Sequence, residues 1–209
     1  MPMRAFESGA FAAAPLDIAN VDTDQIIPAR YLKRPRDERY PDYLFHDVRR
    51  NDAGELRPDF ILNRPPWDAA EALVADRNFG CGSSREAAVY ALLDSGFRAV
   101  IAPSFGDIFY SNSIKNGFLP IRLPADVCAG LRRALAESQG GRIAIDLDAQ
   151  AVTGPEGDVH GFEISAFHKQ CLQEGLDDIG FTLAQQAKIE AAEARRAADL
   201  PWLKAADGF

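Results

Sequence analysis

A chain of 209 residues can bury one sizeable core, and a composition of 47% hydrophobic and 26% charged residues is that of a soluble globular domain. The formal net charge of -8 argues against a nucleic-acid binder, which needs a basic face, but leaves room for a small basic pocket. No stretch approaches the roughly 20 apolar residues of a membrane span, and Met1-Pro2-Met3-Arg4 carries no apolar signal segment, so the cytoplasm is the expected compartment.

In chain order, Phe6 to Ala14 is predicted as a strand ending at Pro15, and Asp22 to Leu32 as a turn with a short helix or loop. Residues 33–43 (KRPRDERYPDY) close an arginine-rich stretch that begins at Arg30. They are polar and proline-punctuated with almost nothing to bury, which predicts a mobile or functional loop. Asn51 to Pro58 is a second loop. Ala72 to Ala75 is a buried strand, followed by a loop over Asn78 to Gly82 and a helix from about Ser84 to Asp94, stopped by Gly96.

Arg98 to Ala102 is predicted as a strand, Ser104 to Asn116 as a helix closed by Gly117, and Phe118 to Leu123 as a further strand. Pro124 opens a helix to about Ser138. Strands follow over Arg142 to Leu147 and Val159 to Ala166, with a Gly-Pro-Gly turn region between them. Lys169 to Leu200 is helical and increasingly polar, ending as a surface helix and tail from about residue 184. The middle alternates as parallel β-α-β units do, and the ends add antiparallel strands. The expectation is one α/β domain over residues 1–209.

Cys81, Cys128 and Cys171 are scattered without a Cys-x-x-Cys, and His46, His160 and His168 lack ligand spacing. No disulfide framework, metal site or cluster site is expected in this chain. Cys128 and Cys171 read as buried small hydrophobes.

The chemistry concentrates in Gly80-Cys81-Gly82-Ser83-Ser84-Arg85-Glu86, between a strand and a helix, where α/β folds bind ligands. Gly80 and Gly82 let the backbone approach an anion, and the helix start offers free N–H groups and the positive end of its dipole. Ser83 and Glu86 have capping-box spacing, and Arg85 can hold a carboxylate through two bonds. A capping turn would need only one hydroxyl, whereas this loop carries two beside an arginine. A phosphate loop would need a Lys followed by Ser or Thr, a dinucleotide fingerprint a third glycine where Arg85 stands, and a hydrolase elbow a Gly-x-Ser-x-Gly. A Cys81 thiolate nucleophile stays open as a minority reading.

Asn78 to Glu86 resembles a signature of the swivelling domain of the aconitase superfamily. Asp22-Thr23-Asp24-Gln25-Ile26-Ile27-Pro28 resembles a second, and Ile101 to Tyr110 with Lys115 to Pro120 a third. Leu176 to Leu183 resembles the start of the C-terminal helix in small subunits of bacterial isopropylmalate isomerases. These segments run in the family's order from about Phe6 to Ala198.

The resemblance implies a three-layer β/β/α swivelling fold and a hydro-lyase active only with a separate large subunit, which would carry a [4Fe–4S] cluster. It implies isomerisation of 2- and 3-isopropylmalate by dehydration and rehydration, in leucine biosynthesis. It further implies Ser83 as the general base and Ser84 and Arg85 as substrate ligands, with Asp24 at the edge of the site. Another substrate arginine falls after Leu32, Arg36 by preference and Arg34 as the alternative. The chain departs from the family pattern at Ala87, where a histidine is usual, and in the loop after Leu32, where Asp37 to Asp42 replaces a glycine-containing run. An intact cradle with altered surroundings predicts unchanged chemistry and a shifted preference among alkylmalates. The alternatives are the same chemistry on methylmalate or homocitrate relatives, and a non-catalytic assembly or regulatory domain. The intact Ser83-Ser84-Arg85 argues against the last.

Overall fold

The computed structural model describes residues 3–138, 140–200 and Trp202. Seven strands form one mixed sheet: β1 (Gly9–Leu16), β2 (Ala72–Ala75), β3 (Ala99–Ala102), β4 (Leu119–Arg122), β5 (Arg142–Asp146), β6 (Ala151–Thr153) and β7 (Val159–Gly161). Their order is β4-β3-β2-β1-β5-β6-β7. The first four pair in parallel and the last three join antiparallel, with β1 serving both halves. The expected α/β class holds.

β1 changes partner part-way along. Gly9 to Ala12 pairs with β5, and Ala13 to Leu16 pairs with β2. The strand therefore runs through Pro15 rather than ending at it. Ala13 N–H points toward the β5 side, bonding Gly141 O, so the N–H that Pro15 lacks belongs on that side, where strand pairing has already stopped. In the parallel half successive residues face opposite cores. Ala14, Leu16, Leu73, Ala75, Val100 and Ala102 lie on one side, and Ala13, Ala72, Val74, Ala99 and Ile101 on the other.

Helices cover both faces. Ala88, Val89, Ala91 and Leu92 of α3 (Glu86–Asp94) fill the first core, after the short α1 (Thr23–Ile26) and α2 (His46–Arg49). Cys128, Leu131 and Leu135 of α5 (Ala125–Glu137) share the second core with Ile143, Ile145 and Val152 of the antiparallel half. Between them α4 (Asp107–Lys115) contributes Phe109 to one core and Ile114 to the other.

Cys128 and Cys171 are buried as expected, and burial pushes the Cys128 thiol up to about 11. Three helices follow, α6 (Ala166–Glu174), α7 (Asp178–Ala184) and α8 (Gln186–Asp199), the last two without a buried residue. No helix among the described residues is long and apolar enough to cross a membrane.

Three local expectations are corrected. Ala151–Thr153 is a strand, so the Gly154-Pro155-Glu156-Gly157 turn joins β6 to β7, and the last strand stops at Gly161 with Ala166 already helical. The helix expected from Ser104 starts at Asp107, because the N–H groups of Phe79 and Asn78 claim Ser104 O and Oγ. In the loop over residues 33–43, Tyr40 is 3% exposed and the chain closes into a 3-10 turn over Tyr40–Tyr43. That loop has an anchor in the core.

Candidate active site

The loop after β2 is wedged between two other segments. Phe79 N–H donates to Ser104 O at 3.0 Å, Gly106 N–H to Phe79 O at 3.0 Å, and Gly80 N–H to Val21 O at 2.7 Å. Close approach dictates the glycines. A Cβ on Gly80 would overlap the Phe109 ring, and one on Gly106 would lie 2.5 Å from Gly80 O. Gly82 has φ +92°, a left-handed conformation that disfavours any side chain.

Beyond Gly82 the loop crosses the start of α1. Thr23 N–H donates to Cys81 O at 2.9 Å, and the Thr23 hydroxyl to Ser83 O at 3.1 Å. These bonds hold Ser83 and Ser84 outside the helix, so the expected Ser83–Glu86 capping box does not form. Arg85 is the N-cap of α3, extended at φ -132° and ψ 114°, and no side chain caps it. The box lies instead at α1, where Asp22 Oδ1 accepts from Gln25 N–H at 2.7 Å and Gln25 Oε1 accepts from Asp22 N–H at 3.0 Å.

With α1 fixed in this way, Asp24 meets Arg85. Arg85 donates to the two Asp24 carboxylate oxygens at 2.5 and 2.9 Å, and to Ser83 Oγ at 3.4 Å. The Arg85 guanidinium holds the Asp24 carboxyl below the usual carboxylate range. Asp24 Oδ1 also accepts from Ala29 N–H at 3.1 Å. The structure thus brings Gly80, Gly82, Ser83, Ser84, Arg85 and Asp24 together, with both serines exposed.

Arg36 stands elsewhere. It donates to Asp94 at 2.6 and 2.7 Å and lies 4.4 Å from the Tyr90 ring centroid. Asp94 ends the helix that Arg85 begins, roughly 13 Å away at 1.5 Å per residue. Arg34 is exposed, and its side chain forms no ion pair among the described residues.

Sequence reasoning missed two features. Thr23 is buried at 1% exposure and its hydroxyl reaches the cradle; a threonine between two aspartates gives little warning of that. The second is a chain of polar groups beside the loop. Tyr31 Oη lies 3.1 Å from His46 Nε2, His46 Nδ1 lies 3.1 Å from Asp47 Oδ1, and Arg30 Nη1 donates to Asp47 at 2.7 Å. Arg30 first, then His46, draw the Asp47 carboxyl down to about 2.

Burial pushes the Cys81 thiol up, away from the thiolate a nucleophile requires. No group of three or more His, Cys, Asp or Glu placed to hold a metal ion occurs among the described residues.

Comparisons with known proteins agree along most of the chain. The model of the aconitase C-terminal domain matches residues 3–126 and that of LeuD_N residues 130–166. A third model, of the C-terminal domain of the 3-isopropylmalate dehydratase small subunit, matches residues 178–206. The 3-isopropylmalate dehydratase small subunit of Granulibacter bethesdensis is 50% identical over 190 residues, 91% of each chain. The protein of the same name from Rhodospirillum centenum is also 50% identical, over 91% of this chain and 94% of its own. A crystal structure of 3-isopropylmalate dehydratase (leuD) from Methanocaldococcus jannaschii is 29% identical with a TM-score of 0.62, covering 88% of this chain and 98% of that one. The chain belongs to the family of 3-isopropylmalate dehydratase small subunits, built on the aconitase C-terminal domain.

Proposed function

We propose that the chain is the cytoplasmic small subunit of a hydro-lyase that interconverts 2- and 3-isopropylmalate in leucine biosynthesis, with Ser83 as the general base. One observation carries the base assignment: the Arg85 guanidinium stands 3.4 Å from Ser83 Oγ on a loop that leads straight into α3. A serine hydroxyl is too weak an acid to serve as a base unless its alkoxide is stabilised. A fixed cation and the uncapped N-terminus of α3 supply that stabilisation. The Ser83 alkoxide then takes the carbon-bound proton in dehydration and returns it in rehydration.

Arg85 also grips a substrate carboxylate, and Ser84 donates a hydrogen bond to it. The ligand competes for the guanidinium fork with Asp24, the carboxylate that fills it in the free chain. Gly80 and Gly82 contribute indirectly, by letting the loop pack against Phe109 and over Thr23 so that Ser83 and Ser84 stand exposed beside Arg85. Arg36, or else Arg34, reaches the substrate only after the loop has moved; for Arg36 this means leaving Asp94.

Loss of the substrate hydroxyl needs a group that this chain does not supply. We assign it to a [4Fe–4S] cluster in the large subunit, which when bound provides a Lewis acid. The purified chain is expected to be colourless, iron-free and inactive, and to gain isopropylmalate isomerase activity when mixed with its large subunit under anaerobic, iron-replete conditions. Turnover of isopropylmalate by the isolated chain would overturn this reading.

A further inference from the structure

We infer that Thr23 is the positioning residue for Ser83, its buried hydroxyl fixing where the base stands. The inference rests on the assignment of Ser83 above and extends it to a residue outside the cradle. Thr23 belongs to the rigid part of the molecule. Its carbonyl accepts from Ile27 N–H at 3.0 Å, its helix opens with the Asp22–Gln25 box, and the adjoining Ile26 and Ile27 are fully buried.

From this anchor two bonds reach the loop: Thr23 N–H to Cys81 O at 2.9 Å and Thr23 Oγ1 to Ser83 O at 3.1 Å. Gly82 arches over it between them, and a Cβ there would lie 3.5 Å from Thr23 Oγ1. Among the described residues the Thr23 hydroxyl makes the one hydrogen bond to the Ser83 main chain outside helices and strands. The other bond at Ser83 comes from Arg85 and goes to the side-chain oxygen.

Arg85 is held differently. It is the N-cap residue of α3 and its side chain is sheltered, so its placement does not pass through the Thr23 hydroxyl. Loss of that hydroxyl therefore loosens the base and leaves the carboxylate grip in place. A base displaced by a fraction of an ångström slows proton transfer, whereas substrate affinity follows Arg85.

The test uses the complex with its large subunit and isopropylmalate, comparing wild type, Thr23→Val, Thr23→Ser and Ser83→Ala. Thr23→Val keeps the shape and removes the donor; kcat is expected to fall roughly 10–100-fold while KM changes by less than about threefold. Thr23→Ser restores the hydroxyl and is expected to recover most of kcat. If the valine variant does not assemble, Thr23→Ala against Thr23→Ser makes the same comparison.

Unchanged kcat in Thr23→Val, an equal loss in Thr23→Ser, or a change confined to KM would overturn the inference. With Ser83→Ala inactive, any of these leaves the proposed function intact. A Ser83→Ala complex with normal kcat would remove the base assignment, and this inference with it.

Discussion

The two ends of α3 carry the same chemical pair, an arginine gripping an aspartate through two bonds, in opposite arrangements. At the N-terminal end Arg85 is sheltered, with a side chain 16% exposed, and its partner Asp24 is 53% exposed. At the C-terminal end Asp94 is sheltered at 23%, and Arg36, on the loop, is 43% exposed. In the first pair the fixed member is the cation, so another carboxylate can replace Asp24. In the second the fixed member is the anion, so the arginine is the part that can leave. One end holds a fixed cation whose carboxylate partner is exchangeable, the place proposed above for the substrate, and the other is a clasp on a segment of chain.

Arg85→Lys should have the larger effect of the substitutions that separate the two ends. Lysine keeps the charge and loses the fork, so KM for isopropylmalate is expected to rise roughly 10–100-fold with a smaller change in kcat. An unchanged KM in steady-state kinetics would mean that the sheltered guanidinium is not the receptor.

The altered loop is expected to affect substrate choice less. Tyr40 and Tyr43 pack toward the core, Tyr43 stacking on Tyr31 at 4.3 Å between ring centroids, so they give little apolar cover to a branched alkyl group. The advantage of isopropylmalate over methylmalate should shrink by about 10-fold relative to enzymes with the glycine-containing loop, near the low end of what one methylene contributes. Side-by-side kcat/KM values for isopropylmalate, methylmalate, citrate and homocitrate measure this. A full-sized advantage would show that the loop repacks into an equivalent cover.

Asp94→Asn should have the smallest effect, because an exposed pair contributes at most about 1 kcal/mol. Amides over residues 33–39 are expected to exchange with deuterium up to about fivefold faster in the variant, while Leu44, buried at the end of the turn that Tyr40 opens, keeps its protection. Equal acceleration through Leu44 would mean that the clasp, and not the tyrosine anchor, holds the loop.

What could be read from the sequence divides along the same line. Gly80, Gly82, Ser83 and Arg85 lie within one short run whose turn and cation are local properties, so their gathering before α3 was legible. The Ser83–Glu86 capping box was expected on the same local logic, but a tertiary bond from Thr23, 60 positions away, pulls Ser83 out of the helix. The tyrosine that anchors the loop was hidden because Tyr40 sits among charged neighbours, and its burial depends on a core built from β1, α1 and α3. β6 escaped notice because three residues, Ala151–Thr153, are too few to show an alternating pattern.

The central claim, that Ser83 moves the carbon-bound proton, is tested most directly by isotope exchange in the complex with the large subunit. Incubated with 3-isopropylmalate in D2O, the wild-type complex should place deuterium on the substrate carbon that loses its proton. Ser83→Ala should bind substrate with a similar dissociation constant and slow that exchange roughly 100–10,000-fold. Exchange at the wild-type rate in Ser83→Ala would contradict the account and assign the proton to another group.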